Sequence, residues 1–207
     1  MTRYELVGLE YAAIMWALGL SLVMGWPSLV FGGSGNLSYP VAPRYGMAVS
    51  YGNTIGLHDN YGSATITGIG LFDYSSVWGH SAPRALRFKA ELTAGARVAG
   101  AQPERQDGSF LCSANVLALY YLDFWTNEVV RPYIEGGIGA IYTSFQVYNQ
   151  GSYVNFNPVA GFGVEWFPND YGPVVFSALR AGHYSNAGLV SPNTGVNSLS
   201  MQLGFLY

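Results

Sequence analysis

Between residues 86 and 166, apolar and polar side chains alternate along the chain with a period of two. In residues 86–98 the even positions are all apolar, whereas most odd positions are charged. The alternation recurs in residues 110–124, 130–142 and 154–166. Because successive side chains of a β-strand point to opposite faces, this pattern predicts strands with one apolar and one polar face.

Eight extended segments of this kind follow one another along the chain. They are Tyr45–Leu57, Ala64–Tyr74, Ala85–Ala99, Ser109–Trp125, Val129–Phe145, Tyr153–Phe167, Val174–Asn186 and Val196–Tyr207. Eight antiparallel strands form the smallest outer-membrane barrel, whose interior is filled by side chains. The predicted fold class is therefore all-β, an eight-stranded antiparallel transmembrane β-barrel.

A water-soluble β-sandwich would also produce alternating strands, with the apolar face turned inward. The segments here are longer than the usual five or six residues and match strands that cross a membrane at a tilt. Only 10% of the residues are charged, against about 25% in ordinary domains. Since most of these charges fall on the polar faces, we expect the even residues of strands three to six to face lipid.

Composition excludes several other classes of protein. The 207 residues carry a formal net charge of −3, which provides no basic surface for nucleic acid. The single cysteine, Cys112, cannot form an internal disulfide, and no zinc or redox spacing occurs. His58 and His80 fall in predicted loops without the spacing of metal ligands, so no metal site is expected.

The amino-terminal segment is apolar and precedes the predicted barrel. Residues 11–31 contain no charge and are long enough to span a bilayer. We expect residues 1–33 to form an apolar helix, either a cleaved export signal or a retained membrane anchor. A linker over residues 34–44 and the barrel over residues 45–207 would follow.

The strongest candidate for chemistry is the sequence Gly-His-Tyr-Ser-Asn-Ala-Gly-Leu at residues 182–189. On a strand, His183 and Ser185 share one face and Tyr184 takes the other. Arg180 and Tyr184 suit the lumen, so the two site residues should face outward. A base beside a hydroxyl is the minimum for a serine hydrolase, because the hydroxyl needs an imidazole to accept its proton.

The His-x-Ser-Asn-Ala-Gly-Leu sequence and the following Ser-Pro-Asn-Thr-Gly at residues 191–195 strongly resemble the lipid A deacylase family of outer-membrane barrels, the PagL type. The likeness extends from about residue 131 to residue 207. It implies an esterase of the bacterial outer membrane that removes an ester-linked acyl chain from lipid A or a similar outer-leaflet glycolipid, without a cofactor.

The resemblance also implies residue roles. Ser185 would be the nucleophile, His183 the base, and Asn186 with the backbone around Gly188 would hold the oxyanion. In the family the third member is acidic, and the matching position here is Asn197. An amide can orient an imidazole, but it cannot stabilise imidazolium as a carboxylate does.

Two alternatives stay open at this point. A His and a Ser at a strand end also occur as a structural pair at a membrane interface. The missing acid further allows a catalytically weakened structural or accessory subunit, whose apolar face would pack on partner proteins, in a homodimer or in a larger membrane-protein complex.

Overall fold

The computed structural model describes residues 43–56, 60–100, 105–168 and 172–207. Nine strands make up most of this part of the chain. They are β1 (Arg44–Ile55), β2 (Tyr61–Asp73), β3 (Leu86–Gly100), β4 (Arg105–Tyr121), β5 (Val130–Gln146), β6 (Val154–Phe156), β7 (Val159–Trp166), β8 (Val174–Tyr184) and β9 (Val196–Leu206). A short helix, α1 (Tyr74–Trp78), follows β2, and a 3₁₀ turn (Asp123–Trp125) follows β4.

The strands close into a barrel. Apart from β6 and β7, strands that follow one another in the sequence pair antiparallel, and β1 also pairs with β9. Strands β6 and β7 both pair with β5 and together make one interrupted barrel strand. The predicted eight-stranded antiparallel barrel is therefore confirmed.

The outer wall carries the apolar side chains that the alternation predicted. The even residues of β3 to β7 point outward, and Leu92 is 71% exposed. In β8 and β9 the odd residues take this role, with Met201 70% exposed. The parity changes at the connection between β7 and β8, where the register pairs the outward Trp166 with the outward Val175.

Paired charges fill the middle of the barrel. The ammonium of Lys89 lies 3.0 Å from a Glu91 carboxylate oxygen and 2.9 Å from a Glu135 oxygen. The Arg180 guanidinium donates to both carboxylates, at 2.7 Å to Glu91 and 2.6 Å to Glu135. Two cations thus balance two anions, which is what buried charges require in order to remain ionised.

Apolar side chains close the barrel above and below these charges. The lower cluster includes Leu71, Leu119 and Phe176. The upper cluster lies beneath the β8–β9 connection and consists of Tyr61, Ile141, Phe145, Val147, Tyr184 and Val196. In this upper cluster the rings of Tyr61 and Phe145 meet edge to face at 5.2 Å. The interior is therefore packed with side chains, as predicted.

The structure corrects two predicted strand boundaries. The sixth segment was expected to be continuous, but Asn157 and Pro158 interrupt it between β6 and β7, because proline has no N–H to donate to a neighbouring strand. The fourth segment was expected to reach Trp125, yet β4 ends at Tyr121. There the chain enters the 3₁₀ turn, where the Trp125 N–H bonds to the Leu122 carbonyl.

The predicted helix at residues 1–33 and most of the predicted linker lie outside the described residues. Within the described ranges, neither helical segment has the length and apolar character needed to cross a membrane.

Candidate active site on the outer face of strands β8 and β9

His183 and Asn197 are direct partners across β8 and β9. The imidazole Nδ1 lies 2.7 Å from the amide Oδ1 of Asn197. An amide oxygen can only accept a hydrogen bond, so Nδ1–H is the donor, and in the corresponding tautomer Nε2 is left as an acceptor. The backbone N–H of His183 donates to the carbonyl of Pro158 at 3.0 Å. Both the ring and the backbone of His183 are thus held in place.

Ser185 comes directly after β8 and is fixed by its backbone. Its N–H donates to the Phe156 carbonyl at 3.1 Å, and its carbonyl accepts from the Phe156 N–H at 2.9 Å. Ser185 and His183 are both half-buried, whereas Tyr184 between them is buried in the upper cluster. The base and the hydroxyl therefore share the outward face, with Tyr184 turned to the lumen.

Asn186 organises the loop after the serine. Its buried side-chain amide donates to the Val190 carbonyl at 2.8 Å and accepts from the Gly188 N–H at 3.0 Å. Its backbone N–H donates to Asn193 Oδ1 at 3.1 Å. Ala187 and Gly188 both have positive φ, 53° and 80°. This left-handed pair turns the chain sharply, and the Asn186 side chain supports the turn.

The β5–β6 loop, residues 147–153, contacts and supports the β8–β9 loop that follows the serine. Gln150 forms an antiparallel bridge with Asn193. The Gly151 N–H donates to the Pro192 carbonyl at 2.7 Å, and the Thr194 N–H donates to the Asn149 carbonyl at 3.0 Å. The sequence gives no sign of this contact, because two irregular segments more than 40 residues apart form it.

The interrupted strand also contributes to the site, which was not predicted from the sequence. Phe156, the last residue of β6, and Pro158, within the interruption, supply the backbone partners of Ser185 and His183. The available signal was Pro158 itself, since a proline within a predicted strand marks an edge or a break. The carbonyls of Phe156 and Pro158 thus accept hydrogen bonds from the backbone N–H groups of Ser185 and His183.

The structure gathers the expected residues at one end of the barrel. His183 and Asn197 are in contact on its outer face, Ser185 follows on the same face, and Asn186 and Gly188 lie in the adjoining loop. His80 lies in the β2–β3 connection, at the opposite end, and His58 lies outside the described residues. Across the described ranges, no group of three or more His, Cys, Asp or Glu side chains could hold a metal ion.

Comparison with known proteins extends the resemblance beyond the motif. The family model of lipid A 3-O-deacylase (PagL) matches residues 72–205. The lipid A deacylase PagL of Pseudomonas aeruginosa is 41% identical over 80 residues, which are 37% of this chain and 43% of that protein. The protein of the same name from Bordetella bronchiseptica is 38% identical over 87 residues, 41% of this chain and 44% of that protein. The matched segment thus spans less than half the length of these curated relatives.

Solved structures agree with the fold. The crystal structure of the outer membrane enzyme PagL is 26% identical, with a TM-score of 0.53, and the match covers 77% of this chain and 97% of that one. Neisserial surface protein A shares the fold, with a TM-score of 0.56 at 14% identity over 79% of this chain and 95% of that one. Because the family model covers more than half of the sequence, the chain belongs to the lipid A 3-O-deacylase (PagL) family of outer-membrane β-barrels.

Proposed function

We propose that the chain is an esterase that removes an ester-linked acyl chain from lipid A or a similar glycolipid of the outer leaflet. One observation carries the proposal: the hydrogen bond from His183 to Asn197, on the outward face that also bears Ser185. A polar pair that faces hydrocarbon is costly and therefore points to function. Membership of the deacylase family supports the same reaction.

In this reaction the Ser185 hydroxyl attacks the ester carbonyl while His183 Nε2 takes its proton. The tetrahedral intermediate collapses to an acyl-enzyme as the imidazolium returns that proton to the departing sugar hydroxyl. Water then attacks the acyl-enzyme with His183 again as base, which releases the fatty acid and restores Ser185. Asn197 orients the ring throughout. No cofactor takes part.

The oxyanion needs hydrogen-bond donors, and we assign Asn186 and the backbone around Gly188 to it. The side chain of Asn186 uses one amide N–H on the Val190 carbonyl, and its amide carries a second donor. The Gly188 N–H donates to Asn186 Oδ1. Gly188 therefore contributes through the turn that its positive φ permits rather than through that N–H.

The substrate would approach from the membrane. Leu179 on β8 and Leu199 on β9 are exposed on the same outward face as the pair. An acyl chain lying along this apolar wall would bring its ester to Ser185 without leaving the lipid layer. The site lies at a strand end, at the depth where outer-leaflet headgroups begin.

The proposal is tested with purified protein in detergent micelles mixed with lipid A, by mass spectrometry of the released 3-hydroxy fatty acid. Ser185→Ala should abolish release. Ser177→Ala is the matched control, because Ser177 lies on β8 and, among the described residues, its hydroxyl bonds only the Trp166 indole. A parent protein that releases no fatty acid, or an active Ser185→Ala variant, would contradict the proposal.

A second candidate function rests on Asn197, which lacks the charge that stabilises imidazolium. In this alternative the barrel is a catalytically weakened accessory subunit, and its outward face packs on a second copy or on other membrane proteins. We also propose that residues 1–33 form an apolar helix. Intact mass separates the two cases: a mature start near residues 32–36 supports the exported enzyme, whereas a retained start with copurifying membrane subunits supports the accessory role.

A further inference from the structure

Gly195 directly precedes β9 and lies against the imidazole of His183. A Cβ built on Gly195 would be 2.5 Å from His183 Cε1 and 2.9 Å from Nε2, and 3.6 Å from the Cβ of Ser185. Real Cβ atoms essentially never come within 3.0 Å of another heavy atom. The imidazole therefore occupies the volume that a side chain at position 195 would need.

The ring cannot easily give up this place. Its Nδ1 edge is held by Asn197 at 2.7 Å, and its backbone is held by Pro158. Pushing the Cε1–Nε2 edge away from β9 would strain or break the bond to Asn197. The same push would move Nε2 relative to Ser185, whose backbone is fixed by Phe156.

We propose that Gly195 is a positioning residue of the site, because its missing side chain leaves room for the imidazole beside β9, on the face that also bears Ser185. This inference rests on the proposed function and deepens it. A methyl group at position 195 would leave the nucleophile and the substrate face intact while displacing the base. The expected kinetic signature is a fall in kcat with little change in KM.

The test is a double-mutant cycle of Gly195→Ala and His183→Ala, since two residues that act through one contact give non-additive effects. Gly195→Ala alone should lower kcat on lipid A by about 100-fold or more, the scale of losing a positioned general base. In the His183→Ala background the same change should cost nothing further. Gly68→Ala is the control, because its Cβ would have only the Leu92 carbonyl nearby, at 3.9 Å, and it should behave as the parent.

Two readouts do not depend on turnover. Gly195→Ala should lower the urea midpoint of unfolding in the parent but not in the His183→Ala background, where no ring is present to clash. In the ¹⁵N spectrum of labelled histidine, the His183 Nδ1–H signal should shift in Gly195→Ala and stay unchanged in Gly68→Ala. If lipid A hydrolysis fails in the parent, these two measurements still decide the inference separately from the proposed function.

An equal loss of urea midpoint in both backgrounds, or an unchanged His183 signal, would overturn the inference. If Gly195→Ala does not refold, the double variant decides: refolding of Gly195→Ala/His183→Ala supports a clash with the ring, and its failure to refold contradicts one.

Discussion

The imidazole Nδ1 of His183 lies 2.7 Å from Oδ1 of Asn197, so an amide holds the base at the place where the family resemblance expects an acid. The two residues are direct partners across β8 and β9. The amide fixes the ring's tautomer and direction, but it brings no negative charge to stabilise imidazolium.

We expect Asn197→Glu to raise kcat on lipid A. Exchanging the acid of a serine triad for its amide costs about 10⁴-fold, so restoring a carboxylate should recover at least about tenfold. The measurement is initial-rate release of fatty acid under saturating substrate. Asn197→Leu is the matched control, and it should be less active than the parent because nothing then orients the ring. A carboxylate variant no faster than the parent would show that the site is already adapted to the amide.

Asn186→Ala should lower activity by about tenfold to hundredfold. The change removes the side-chain bonds that support the turn at residues 187–190, and each lost buried hydrogen bond costs about 1–3 kcal/mol. Asn186→Asp keeps the acceptor for the Gly188 N–H but loses both amide donors, the one to Val190 and the one that we assign to the oxyanion. It should therefore fall between the parent and the alanine variant. Equal activity of all three proteins would show that the Asn186 side chain has no role in the reaction.

Gly151→Ala should disrupt the contact between the β5–β6 loop and the β8–β9 loop. A Cβ on Gly151 would be 2.6 Å from the Pro192 carbonyl oxygen and 3.0 Å from the Ser191 carbonyl carbon. We expect reduced activity and faster proteolysis of residues 187–195, measured by mass spectrometry of limited digests. Gly136→Ala has its nearest contact at an ordinary 3.7 Å and should digest like the parent. An unchanged digest of Gly151→Ala would show that the contact between the two loops is not needed to hold residues 187–195 in place.

Arg180→Met should destabilise the barrel by about 3–5 kcal/mol, because among the described residues it leaves the buried Glu91 and Glu135 with Lys89 as their one cationic partner. Urea unfolding in micelles measures the loss. Adding Glu135→Gln removes one of the two anions and should restore part of the stability. The exposed Arg84 provides the control, since Arg84→Met should change stability by less than about 0.5 kcal/mol. A stable Arg180→Met variant would mean that water reaches the charge cluster.

Leu92→Arg tests whether the outward face meets lipid. Leu92 is 71% exposed on β3, and an arginine on a lipid-facing strand near the middle of the bilayer costs about 2–4 kcal/mol. Leu189 is similarly exposed, at 77%, but lies in the β8–β9 loop. Leu189→Arg should leave refolding into vesicles unchanged, whereas Leu92→Arg should impair it. Similar refolding of both variants would contradict a lipid-facing β3.

The family assignment followed from local pattern and motif. The alternation of apolar and polar residues predicted where the strands lie and which alternate residues face outward. It could do so because the period of two is a property of each strand by itself. The residues around Ser185 carried the resemblance, and the comparisons extended it from about residue 131 back to residue 72. The boundaries at Tyr121 and at Asn157 were less predictable, because pairing with neighbouring strands decides where a strand stops.

The amino-acid sequence by itself determined the alternating strands, the number of strands around the barrel and the placement of a base and a hydroxyl on one face. These features depend on residues two apart, which any extended chain holds in a fixed relation. Only the tertiary structure decided that Asn197 lies beside His183, that Phe156 and Pro158 hold the motif, and that Gly195 leaves room for the ring. These contacts join residues 12 to 29 positions apart. They arise only once closure of the barrel sets the register between strands, which the order of residues along one strand does not specify.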